Sequence, residues 1–165
     1  MITPICKGCA WAKSLCPECK QKADSGIISP LDVEISRVLY RINENHNISR
    51  ATFLSSLDFG DAVIIFTDSE PGILIGRQGK VVSAISLALN RKVRVIKKDG
   101  DVKRRISDLI SPARLIGVNA FFSEGKEKIK VRISPPAGKR LYLEPSTLQS
   151  VIKSWMEKDV EITIE

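Results

Sequence analysis

Aromatic side chains make up only 5% of the 165 residues, and there is a single histidine. So few aromatics argue against a platform that stacks successive bases on a sheet face. His46 lies in the polar run Asn43-Glu44-Asn45-His46-Asn47 and is expected to face water. No G-x-S-x-G elbow and no phosphate-binding P-loop is present. Asp58 and Asp61 are close in sequence, but a turn at Gly60-Asp61 accounts for them. No catalytic role and no small-molecule substrate are expected. Long apolar runs are missing too, since none approaches the roughly 20 residues that span a bilayer. Met1 to Ala10 lacks the basic start and apolar stretch of a secretory signal. The expectation is a cytoplasmic protein, with no membrane partner, of one ordinary domain or two small ones.

Cysteine is absent after position 19. The four present, Cys6, Cys9, Cys16 and Cys19, are spaced C-x2-C-x6-C-x2-C. Disulfides are rare in a cytoplasmic setting, so the pattern reads as a metal site. Two C-x-x-C hooks supply the four thiolates of a tetrahedral Zn2+. A redox pair and an iron–sulfur cluster are the competing readings. Pro17 presets a tight turn in the second hook, and Gly8 gives the first similar freedom. The spacer from Ala10 to Leu15 allows a compact knuckle but not a sizeable hairpin. With cysteine at every position none is open for a catalytic water, so the expected zinc is structural.

The net charge of +7 is not spread evenly. Seven of the 26 basic residues (Arg77, Lys80, Arg91, Lys92, Arg94, Lys97 and Lys98) lie between Pro71 and Lys98, where there is no acidic residue. The remaining basic residues equal the 19 acidic ones in number. Charge focused on one segment is the footprint of phosphate binding, with a solvated helix face and strand end as the plainer explanation.

Apolar spacing predicts a helix over 31–44, through Val33, Ile35, Val38, Leu39 and Ile42. Strands are expected over 48–57 and 62–67, the second rich in β-branched residues. One helical turn, Ile73-Leu74-Ile75, precedes Gly76-Arg77-Gln78-Gly79. A helix over 80–90 and a half-buried strand over 91–97 follow, and Lys98-Asp99-Gly100-Asp101 marks a boundary. Shifted by 67 residues, the rest of the chain repeats this pattern without a gap: Ala62, Ile64 and Phe66 fall on Ile129, Val131 and Ile133. Likewise Ile85 and Leu89 fall on Ile152 and Met156, and Val93 and Val95 on Val160 and Ile162. The expected fold class is α/β in the mixed, α+β sense. It comprises a knuckle over 1–27 and two units, 28–98 and 99–165, each running helix, strand, strand, helix, strand.

Two glycines around Arg77-Gln78 let the backbone take positive φ and let a phosphate come close. The loop also runs into a helix N-terminus, which favours an anion. The stretch from Gly72 to Val82 resembles the KH family of nucleic-acid-binding domains. In that family an apolar turn ending in Ile-Gly is followed by a G-x-x-G loop and a second helix. Ile75-Gly76 and Gly79 match, and Arg77 supplies the customary basic residue. A helix and strand ahead of this core resemble the type II arrangement. The resemblance implies RNA binding by Ile75, Gly76, Arg77, Gln78, Gly79 and Lys80, with Lys92 and Arg94 reaching in from the strand. The bases would lie over an apolar floor drawn from Ile73, Ile75, Val82, Val93 and Val95.

The second unit departs from that pattern. Leu143-Glu144-Pro145-Ser146 faces the loop position, so the G-x-x-G is missing and a helix start stands in its place. This unit is expected to be degenerate and mainly structural, with Lys139-Arg140 and Lys103-Arg104-Arg105 as candidate outlying contacts. Paired units of this kind resemble the RNA-binding half of NusA transcription factors, and the cysteine knuckle resembles that of archaeal NusA-like proteins. The implied partner is single-stranded RNA, in transcription elongation, termination or RNA processing. The alternative is a zinc-dependent adaptor that docks on RNA polymerase or the ribosome, with the KH units as scaffold.

Overall fold

The middle strand of the first sheet has no polar face. In the computed structural model, which describes all residues 1–165, β2 (Ala62–Thr67) is buried at every position. It pairs antiparallel with β1 (Phe53–Asp58) and parallel with β3 (Lys92–Lys97). A parallel pair needs a crossover. Here it is α4 (Pro71–Ile75), one 3-10 turn (Arg77–Gly79) and α5 (Lys80–Leu89). Val63, Ile65, Val93 and Val95 share a core with Leu74, Val81 and Ile85 of the crossover and with Ile35 and Leu39 of α3 (Pro30–Asn43).

α3 begins with a capping box. The Asp32 amide donates to Ser29 Oγ at 3.0 Å, and the Ser29 amide donates to Asp32 Oδ2 at 2.9 Å. The other carboxylate oxygen, Oδ1, accepts from Ser56 Oγ of β1 at 2.5 Å. Asp32 is 4% exposed. The buried Asp32 side chain thus closes the capping box that Ser29 opens and ties the helix to the sheet.

The strand expected over 48–57 starts later, at Phe53. The Ile48 amide is taken by Asn43 Oδ1 at 3.1 Å, and the Ala51 amide by the Ile48 carbonyl at 2.9 Å. These bonds close a bend that buries Ile48 and Ala51. His46, in the same bend, is half-buried rather than fully in water. Within Pro71–Leu89 an 18-residue window has a mean hydropathy of 1.2, which approaches a membrane span and corrects the expectation that no run does. Gly76, Gln78 and Gly79 all have positive φ and break it, so it is not one continuous helix.

The cysteine segment joins the first unit, Met1–Lys98. It forms α1 (Lys7–Trp11) and α2 (Pro17–Asp24). Ile5, Cys9, Ala10, Cys19 and Ile28 make a small core against Val33 and Tyr40 of α3. Arg37 of α3 donates from Nε to the Cys9 carbonyl at 3.3 Å. Ile2 bridges in parallel to Thr52, ahead of β1.

The second unit, Asp99–Glu165, has the same strand order and directions. β4 (Arg114–Ser123) is antiparallel to β5 (Lys126–Ser134), which is parallel to β6 (Asp159–Ile164). Glu124 and Gly125, with φ of 55° and 75°, close the β4–β5 hairpin in the two-residue form that suits twisted strands. α6 (Val102–Ile110) and α7 (Pro145–Met156) complete it through Ile106, Leu109, Leu148, Val151 and Ile152, all buried. No counterpart of α4 exists, because residues 135–144 form no helix.

The repeat is not gapless. β3 and β6 have the same bounds under a shift of 67, but Val63 pairs with Val93 whereas Ile129 pairs with Val160. The middle strands therefore correspond under a shift of 66. A one-residue slip exchanges the two faces of a strand. The partner of core-facing Val63 is Ile129, not the Lys130 that a constant shift requires.

Replacing Asp32 with Ala removes the carboxylate half of the capping box, since the Ser29 amide loses its acceptor, and leaves Ser56 without its acceptor too. Urea denaturation is expected to show a loss of about 1–3 kcal/mol. A loss below roughly 0.5 kcal/mol would mean the carboxylate does not join helix to sheet.

Candidate functional site

The four cysteines converge. Their sulfurs all lie within 4.8 Å of one another, and Cys6 Sγ and Cys16 Sγ are 4.0 Å apart. A tetrahedral Zn2+ with bonds of about 2.3 Å needs sulfurs about 3.8 Å apart, so the cage fits with a small contraction. The two hooks are built alike: Cys6 and Cys16 are N-caps, and Cys9 and Cys19 lie in the first turns of α1 and α2. The Cys6 amide donates to Cys19 Sγ at 3.4 Å, and the Cys16 amide donates to Cys9 Sγ at 3.0 Å. Each hook therefore supports a sulfur of the other. The tight turns expected at Pro17 and Gly8 are helix starts instead. Pro17 serves as the first helical residue, and Gly8 lies inside α1 without positive φ.

The thiols are electrostatically unequal. Cys16 is lowered to about 7, first by the Cys19 amide and then by the Cys9 thiol. The Cys16 amide pulls Cys9 down, but burial and the neighbouring thiols outweigh it and push Cys9 up to about 12. Gathering four thiolates in this space needs a cation.

The loop Gly76-Arg77-Gln78-Gly79 joins α4 to α5 by a sharp reversal. Gly76 has φ 77°, Gln78 φ 55° and Gly79 φ 73°. A Cβ on Gly76 would lie 2.5 Å from Val81 Cγ2 and 2.8 Å from the Val81 amide nitrogen, so only glycine fits. Gly79 is the N-cap of α5 and brings no side-chain cap. The Lys80 amide donates to the Arg77 carbonyl and the Gly79 amide to the Gly76 carbonyl, so the amides of the turn are partly used by the loop itself while no side chain caps the helix. Arg77, Gln78 and Lys80 are exposed, and Ile75 beside them is 37% exposed. Ile73 and Val82 are partly buried against the core. The site is a positively charged, glycine-lined helix entrance next to a small apolar surface.

No family model matches the chain, and no curated protein matches it. Among the solved structures that match is one described as "Crystal structure of APE1850". It is 17% identical, the alignment covers 77% of this chain and 96% of that one, and the TM-score is 0.49. That description names no activity, and a likeness at this level carries no argument about function.

Other expected site residues lie elsewhere. Val93 and Val95 are 2% and 4% exposed and belong to the core, not to a groove floor. Lys92 and Arg94 alternate with them, so they project from the opposite face of the strand to the one that meets α4 and α5. The basic segment is also partly compensated. Arg91 Nη1 meets Asp58 Oδ1 at 2.6 Å, and Lys97 Nζ meets Glu70 Oε1 at 2.9 Å. The Gly60 amide and then Arg91 hold Asp58 below the usual carboxylate range. Asp58, Glu70 and the Val81 wall were not read as site residues. Asp58 and Arg91 are 33 residues apart, and no sequence period links them. The loop charges Arg77 and Lys80 stand apart from these pairs.

Gly76→Ala is expected to cost roughly 2–4 kcal/mol, from positive φ together with overlap on Val81. Gly72→Ala, in α4 with nothing within 4 Å of the added Cβ, should be neutral or up to about 1 kcal/mol stabilising. Urea melts of the two variants check the contrast, and equal stability would mean the close approach at Gly76 does not exist.

Proposed function

We propose that the chain binds single-stranded RNA in the manner of a type II KH domain, with Gly76-Arg77-Gln78-Gly79 gripping the sugar-phosphate backbone. The observation that carries this is the loop itself. Three positive-φ residues lead into an α5 N-terminus that has no side-chain cap, with Arg77 and Lys80 exposed at the same spot. The dipole of α5 then favours a phosphate, while the two cations release counterions on binding. Ile75, with parts of Ile73 and Val82, supports the bases beside the loop. Lys92 and Arg94 are left out of this contact. In the second unit Glu144 stands as N-cap of α7, where a phosphate would be repelled. That unit is a KH-like fold without its grip. The protein acts as an RNA-binding factor of transcription or RNA processing, NusA-like in kind, and not as an enzyme.

The cysteine cluster holds one structural Zn2+. Four thiolate donors with no open position suit zinc, and two supporting N–H···S bonds fix the hooks. Elemental analysis should return one zinc per chain. Chelation should loosen residues 1–28 while the first sheet persists by circular dichroism. Iron in place of zinc, or a metal-free protein with intact disulfides, contradicts the assignment.

The loop is tested by the double change Arg77→Asp with Gln78→Asp. Both side chains are exposed, and Asp tolerates the left-handed backbone at position 78, so the fold should hold. Two carboxylates would then occupy the anion site themselves. Oligonucleotide affinity should fall at least roughly tenfold and its salt dependence should flatten. Glu144→Lys should change binding by less than about threefold. Unchanged affinity of the double variant at several salt concentrations would sink the loop assignment and leave the adaptor role.

A further inference from the structure

α1 ends at Trp11, a residue that is 50% exposed. The chain has only two tryptophans. A single exposed apolar residue needs no explanation by itself, but the surroundings of Trp11 are specific. It borders a depression of about 490 Å³ lined by Met1, Lys7, Trp11, Tyr40, Asn43 and Glu44. Two elements build it. α1 carries Lys7 and Trp11 four residues apart, on one helix face. The last turn of α3 and its C-cap carry Tyr40, Asn43 and Glu44. No residue of the glycine loop takes part.

The lining mixes a π-face with polar groups of each kind. Lys7 brings a cation. Asn43 Oδ1 already accepts from the Ile48 amide and from Ser49 Oγ, so its NH2 group is the part left to donate. Glu44 is exposed and accepts. An anchor pocket for a protein partner is apolar at its centre and depleted of charge. A nucleotide needs what this depression offers: a ring to stack on, a donor and an acceptor for a base edge, and a cation for a phosphate. Glu44 would repel a phosphate, which places the phosphate toward Lys7 on α1 and the base edge toward α3.

We propose that this depression is a second nucleic-acid contact, in which one unpaired base of a bound single strand stacks on Trp11. Adenine presents a larger face to Trp11 than uracil does, so it is favoured in the stack. The nucleic-acid partner is taken from the proposed function, but the residues are independent of the loop, so the two can fail separately.

The test uses the full chain as purified and single-stranded RNAs of about eight nucleotides, adenine-only and uracil-only. Trp11→Ala should weaken adenine binding about tenfold, the usual cost of one lost stack, and Trp11→Phe should restore it to within about threefold. In a Trp155→Phe background, adenine RNA should quench the Trp11 emission more strongly than uracil RNA. Should Trp11→Ala unfold, Trp11→Leu keeps bulk without a π-face and should show the same loss. Affinity unchanged by Trp11→Ala or Trp11→Leu, or emission unchanged at saturation, overturns the stack. Loss with the Arg77/Gln78 variant alone leaves the loop and removes Trp11; loss with Trp11→Ala alone does the reverse. No binding by the unaltered protein removes both.

Discussion

Two adjacent strands, β2 and β3, run parallel, and the chemistry of the first unit follows from that constraint. The chain leaving β2 must return along the sheet before it can enter β3. A single helix over the 19 residues Pro71–Leu89 would be about 28 Å long, against about 20 Å for a six-residue strand. It would overshoot the sheet and carry much of its apolar surface into water. Broken after Ile75, the crossover instead lays Leu74 and then Val81, Ile85 and Leu89 on one core. The break needs backbone-to-side-chain approach at Gly76 and left-handed backbone at Gln78 and Gly79. The glycines are therefore demanded by packing, and the exposed, side-chain-free entry to α5 comes with them.

The second unit meets the same constraint another way. β5 and β6 are also parallel, but the return runs through an irregular segment and then one longer helix, α7, started by Pro145. With no first helix to reverse from, no glycine pair is required, and none is present. The charges on the third strands are also opposite in sign. Where β3 has Lys92 and Arg94, β6 has Asp159 and Glu161. Asp159 is held low first by its hydrogen bond from Lys153 and then by the charge of that lysine. The same framework thus carries opposite electrostatics on its third strands, and the glycine pair occurs only in the unit whose third strand is basic.

The helices and third strands were legible because their apolar periods are one-sided, so Val81, Ile85, Val93 and Val95 announce both element and face. β2 was legible as a strand but not in phase. It is apolar on both faces, so a shift of 66 and one of 67 fit the pattern equally well, and the hydrogen-bond register alone decides. The cysteine spacing announced a common site, but not that each hook opens a helix. That depends on Pro17 acting as a helix start and on burial against α3. The charge excess was visible in composition. Its partial neutralisation by Asp58 and Glu70 was not, because those partners come from chain segments that only the fold brings near.

The cysteine segment cannot hold its shape by helix propensity. α1 has five residues and α2 eight, both below the length at which an isolated helix persists in water. The apolar burial of Ile5, Ala10 and Ile28 on α3 is too small to fix two helices and their connection. What remains is the sulfur cluster, in which each hook's amide already donates to a sulfur of the other. A metal held by the four sulfurs would close the loop between α1 and α2 and set the direction in which α1 points. Trp11 is the last residue of α1 and lies two positions beyond Cys9. Such a metal would therefore also aim the one large aromatic side chain that the segment exposes. Loss of the metal would change the surface of the protein without disturbing the strands that carry the glycine loop.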